Sequence, residues 1–187
     1  MRTRTLLTMA IPVIAVLAAS CGSGSSSSSG GSGSSSGGHR GGTLILLATS
    51  NWGTADPAKN YTLQEWQLLT LTNDGLVQFR SANGAAGTQL LPDLATTIPK
   101  PTNGGKTYTF TLRPGIKYSD GTPLKASDFV TVMKRQFTVP GPANGFYEGI
   151  IGASACLKTP ASCDLSQGIV TDDTAGTVTF NLTAPDP

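Results

Sequence analysis

GKTYTFTLRPGIKYSDGTPLKASD, residues 105–128, holds a strand, two tight turns and a helix start in one run. Tyr108, Phe110 and Leu112 alternate with Thr107, Thr109 and Thr111, the period-two pattern of a strand with one buried face. Arg113-Pro114-Gly115 turns the chain, and Ile116 and Tyr118 about Lys117 predict a second short strand. Ser119-Asp120-Gly121-Thr122-Pro123 predicts a second turn, in which the Asp120 carboxylate bonds nearby backbone amides. From about Ala126, residues Phe129, Val130, Val132, Met133 and Phe137 predict one face of a helix. Asp128 in its first turn and Lys134 and Arg135 near its end suit the helix dipole, and Ser127 is a candidate cap.

Upstream, the apolar run 43–48 predicts a strand buried on both faces. It gives way to a polar loop from Thr49 to Pro57 that carries one large aromatic, Trp52. Ligands gather at the carboxyl ends of strands in open α/β sheets, so Ser50, Asn51 and Trp52 are candidate ligand contacts. Trp52 is equally readable as a packing residue that pins the loop. Residues 61–71 predict a helix with Leu63, Trp66, Leu68, Leu69 and Leu71 as its apolar positions. Asn73-Asp74-Gly75 then turns into a short strand at 76–79, and the Gly-rich run 83–87 reads as a loop. With 90–95 leading to residue 105, the spacing predicts an antiparallel meander covered by the helix that follows, an α/β packing solution around one core. Downstream, 169–171 and 177–182 read as strands about a turn, echoing the alternation of 107–112.

Composition narrows the function classes. The 13 Lys and Arg include Arg2 and Arg4, which leaves 11 against 11 Asp and Glu in the remainder; a nucleic-acid binder would call for a basic patch. Residues 1–20 read as an export signal: positive start, apolar run from Leu6 to Ala19, then small residues before Cys21. Residues 21–42 are almost wholly Gly and Ser, a flexible tether with a reach of roughly 25 Å. Residues 43–187 form the folded part, about 145 residues and enough for a sizeable core. His39 lies in the tether, where it reads as solvated and gives the folded part no catalytic base. Cys156 and Cys163 are expected to pair as a disulfide in an exported chain, the alternative being free thiols; no zinc-ligand set accompanies them.

The run from Thr107 to Phe129 resembles the signature region of the family 5 extracellular solute-binding proteins, the peptide, dipeptide and nickel receptors of ABC importers. GGTLILLATSNWGTADPAKNY, DGLVQF, LPDLATTIP, YEGIIGA and TVTFNLTAPDP extend the resemblance over about residues 41–187. It implies an α/β fold of the periplasmic-binding-protein-like type II, here part of the N-terminal lobe with a mixed, largely antiparallel strand-rich subdomain. It also implies that Tyr61 and Trp66 face the ligand, with an aromatic near Phe146 or Tyr147 doing the same. For Trp66 the competing reading is core packing on a helical face, and for Phe146 and Tyr147 packing under their loop. Ala-Ser-Cys resembles a bacterial lipobox with Cys21 as the lipidated residue, although Leu17 stands one place further from the cysteine than usual. An ordinary secretory signal followed by a stray cysteine is the alternative.

The expected function is therefore capture of a peptide or similar small solute outside the membrane and delivery to ABC permease subunits. The expected receptor is a monomer, lipid-anchored on the outer face of the cell envelope of a Gram-positive cell, with no cofactor, metal or nucleic-acid partner. Family members continue through a second lobe, so the chain reads as a fragment whose single cleft wall binds weakly alone. The family's acidic residue for the ligand's amino terminus is not assignable here. Two other classes compete. An exported hydrolase needs a nucleophile with a base or a metal cluster, and no such arrangement stands out. A surface adhesion module shares leader and tether but predicts short repeated strands.

Overall fold

The computed structural model describes residues 41–43, 45, 47, 51 and 53–186. Cys21, Ser50 and Trp52 lie outside them, as do the leader and most of the tether.

The first helix, α1 (Leu63–Thr72), starts where Thr62 and Glu65 form a capping box. The Glu65 N–H donates to the Thr62 hydroxyl while the Glu65 carboxylate accepts from the Thr62 N–H, so two amides unpaired at a helix start are satisfied reciprocally. Its apolar residues do not make a core stripe. Leu69 is buried, whereas Leu63, Trp66 and Leu71 are exposed. Strands β1 (Val77–Phe79) and β2 (Leu90–Pro92) pair antiparallel with Gln78 opposite Leu91. A 3₁₀ turn at Gly84–Thr88 stands where a plain loop was expected.

The main sheet is β3 (Thr107–Thr111), β5 (Thr177–Asn181) and β4 (Ile169–Asp172), in that spatial order. All these pairings are antiparallel, with Thr109 opposite Thr179 and Phe110 opposite Val178. The alternation read in the sequence sorts the faces. Thr109 and Thr179 join hydroxyls at 2.9 Å on one side, while on the other Phe110 meets Phe180 edge to face at 6.0 Å and Val178 is fully buried.

Helices α2 (Asp128–Thr138) and α3 (Ala153–Lys158) pack on each other. With the sheet they enclose Leu112, Phe137, Ile150, Leu165, Ile169 and Val178. Cys156 belongs to the same core and is disulfide-bonded to Cys163, the Cα atoms 4.3 Å apart.

Four local expectations are corrected. Ile45 and Leu47 are exposed and outside any strand, while Leu44, Leu46 and Ala48 of the same run lie outside the described residues. Residues 116–118 make only an isolated bridge, Lys117 to Pro123, since the two turns leave no room for a ladder. Val132 is exposed: at 100° per residue it falls roughly 100° from the mean direction of Phe129, Met133 and Phe137. Ser127 does not cap α2 with its side chain; its hydroxyl donates to Asp173 instead. Asp120 behaves as expected and accepts the Thr122 N–H at 2.8 Å.

Candidate functional site

The C-terminal half of α2 organises two segments distant in sequence. Phe137 is buried and fixes the helix in the core. Arg135, two residues earlier on the flank, donates through both terminal nitrogens to Asp56, at 2.8 and 2.7 Å. This two-pronged pairing holds the Asp56 carboxyl at about 2, well below its ordinary 3.8. Gln136, buried between them, donates its amide to Asn144 Oδ1 at 2.7 Å and to the Ala58 carbonyl at 3.5 Å. Asn144 in turn donates to the Val139 carbonyl at 3.1 Å. Gly141 lies so close that a Cβ there would stand 2.5 Å from the Ala58 carbonyl oxygen, an approach only glycine permits.

The segment 53–62 is wound around one carboxylate. Glu65 is buried and accepts N–H bonds from Thr54 at 3.1 Å, Tyr61 at 3.0 Å and Thr62 at 2.9 Å. These backbone donors, that of Thr62 foremost, hold its pKa at about 2 instead of the ordinary 4.5. Gly53 packs directly on the Glu65 carboxylate at φ +68°, a conformation that favours glycine. The Asn60 side chain donates to the Thr54 carbonyl at 3.2 Å, closing the loop on itself. The backbone of Tyr61 is thereby fixed from the Glu65 side and the Ala58 side.

The Tyr61 and Phe146 rings stack, centroids 5.6 Å apart and planes inclined by 25°. Yet Tyr61 is 48% and Phe146 67% exposed, so the pair presents apolar ring surface outward from a rigid base. Phe146 rides on a 3₁₀ turn, Asn144–Tyr147, that opens with the Gln136 partner. Of the two aromatics nominated there, Phe146 joins Tyr61, while Tyr147 is exposed and makes no ring pair among the described residues. Trp66, on α1, is half exposed and not a core residue. Asn51 is exposed and accepts the Gly53 N–H at 3.2 Å. Sequence reading missed Asp56, Glu65, Arg135, Gln136 and Asn144. The Thr62-x-x-Glu65 spacing was a usable signal for one of them; the others act over distances that no local pattern encodes.

Two open depressions, of about 290 and 280 Å³, lie elsewhere, beside Lys117 and beside Arg113. Neither includes the ring pair. Among the described residues no three metal-ligating side chains converge, and no helix is long and apolar enough to cross a membrane.

The profile described as bacterial extracellular solute-binding proteins, family 5 Middle, matches residues 89–187. Protein XP55 of Streptomyces lividans is 54% identical over 43 residues, 23% of this chain and 8% of its own. The periplasmic murein peptide-binding protein MppA of Escherichia coli is 38% identical over 80 residues, 43% of this chain and 14% of its own. Among solved structures, clavulanic acid biosynthesis oligopeptide binding protein 2 superposes with a TM-score of 0.65 at 29% identity, over 77% of this chain and 27% of that one. This chain thus spans about a quarter of the length of that structure, and less of the curated relatives.

Proposed function

The chain belongs to the bacterial extracellular solute-binding proteins of family 5 and has their type II periplasmic-binding-protein-like α/β fold, and from that premise we propose that it contributes one wall of a peptide-binding cleft. The observation that carries this reading is the exposed, stacked Tyr61–Phe146 pair on a loop base cross-tied by hydrogen bonds. Apolar ring surface held in place costs little ordering entropy when a ligand covers it, and binding sites combine such rings with a few fixed polar groups. The periplasmic murein peptide-binding protein and the oligopeptide-binding protein to which the chain is similar supply the ligand class. Trp66, Tyr147, Asn51, Ser50 and Trp52 complete the proposed contact set.

The wider role is capture of a peptide or similar small solute outside the membrane and hand-over to a permease. Cys21 carries the lipid anchor and residues 21–42 the tether in this reading, and a closing equilibrium between lobes, not bond chemistry, does the work. No residue is assigned a catalytic part.

Titration of the isotope-labelled chain with a mixed-sequence tripeptide pool, followed by NMR, tests this. Weak, fast-exchange shifts that cluster at Tyr61 and Phe146 are expected, and both fade in Phe146→Leu. Shifts confined to other surfaces, or none at all, sink the reading.

A further inference from the structure

We infer that Gln136 is a positioning residue for ligand capture: its buried amide sets the relative placement of the two loops that carry Tyr61 and Phe146. The inference rests on the reading that this ring pair meets the ligand.

The geometry is that of a shared strut. One Nε2 atom reaches Asn144 Oδ1 at 2.7 Å and the Ala58 carbonyl at 3.5 Å. Asn144 lies two positions before Phe146 on the same 3₁₀ turn, and Ala58 three positions before Tyr61. The strut rises from a helix whose next residue, Phe137, is anchored in the core. Both loops therefore take their position from the same rigid element. The second link between the helix and the 53–62 segment, Arg135 with Asp56, is solvent-facing and reaches only one of the loops. Gln136 alone of the two touches both.

A buried amide is suited to the task because it supplies two donors in one plane and is indifferent to pH in the physiological range. Both of its partners are acceptors, the Asn144 orientation being set by the Nδ2 bond to the Val139 carbonyl. A carboxylate at 136 would face two oxygens, and an aliphatic side chain would withdraw the donor from both, the buried Ala58 carbonyl and the partly buried Asn144 Oδ1.

The test reads ring placement and binding separately. In the ligand-free chain, the Tyr61 ring protons carry a ring-current shift from Phe146, whose size is calibrated by Phe146→Leu. In Gln136→Leu this shift moves at least halfway to the Phe146→Leu value while the Val178 methyl shifts stay put, and affinity for the tripeptide pool falls about as far as in Phe146→Leu. An unchanged Tyr61 shift in Gln136→Leu, with binding weakened by Phe146→Leu, overturns the positioning role and leaves the site reading intact. A moved shift with undiminished binding also overturns it. Binding unaffected by Phe146→Leu instead removes the site reading itself. Should Gln136→Leu fail to fold, Asn144→Ala cuts the same strut from the Phe146 side and is judged by the same shifts.

Discussion

Asp173 accepts two hydrogen bonds from Ser127, one from its backbone N–H at 2.8 Å and one from its hydroxyl at 2.9 Å, so that the β4–β5 turn caps α2 from 46 positions away. The cap joins helix to sheet at the end opposite the loops that Gln136 ties. The Ser127 donors lower the pKa of Asp173, and a negative charge there suits the positive end of the helix dipole. Asp173→Ala is expected to melt at a lower temperature than the parent, and Asp173→Asn to lose less because it keeps an acceptor oxygen. Equal melting of all three would show that the turn contributes nothing to the helix.

Leu165 is fully buried among Phe137, Ile150 and Val178, whereas Val132 is 59% exposed on the same domain. Leu165→Ala should cost about 2–5 kcal/mol in denaturant unfolding, through lost transfer energy and the cavity left behind. Val132→Ala should stay within about 0.5 kcal/mol, as surface changes do. A large effect at Val132 would return it to the core face that the sequence pattern suggested.

Glu65 has a folded-state pKa of about 2 against an ordinary 4.5. A depressed carboxylate contributes stability in full above its unfolded value, and this is lost as pH falls through the folded value. The 53–62 loop should therefore loosen between about pH 4.5 and pH 2, with Asp56 acting in the same direction through Arg135. Amide resonances of Thr54, Tyr61 and Thr62 should shift together in that window, and Glu65→Gln should abolish the coupled shift. Independent titration of the three amides would contradict the common carboxylate.

The Cys156–Cys163 bond closes a short loop between the buried end of α3 and the chain leading to Leu165. Reduction should cost about 2–3 kcal/mol, the range for a small unstrained loop. Denaturant midpoints with and without reductant measure it; coincident curves would mean that packing alone holds the segment.

Much of the fold was legible where one period dominated. Thr107–Thr111 and Thr177–Asn181 alternate cleanly, and the two runs pair with each other. Phe129, Met133 and Phe137 marked the buried face of α2, but Val132 was drawn into it because spacing of three was counted without its angle. The run 43–48 read as a buried strand because apolarity alone does not say whether a partner strand lies alongside. Tyr61, Phe146 and Tyr147 were nominated through family resemblance, which does not say that Tyr61 and Phe146 stack. Gln136 stayed invisible since a polar residue beside an apolar helical stripe looks like surface, and its partners at Ala58 and Asn144 are set by tertiary packing.

Binding of a spin-labelled tripeptide, read as paramagnetic broadening over the whole labelled chain, tests the cleft-wall claim most directly. Broadening is expected to centre on Tyr61 and Phe146 and to extend to Trp66 and Tyr147. Broadening centred on the exposed Phe79 and Leu90 of the small hairpin, with the ring pair untouched, would contradict it.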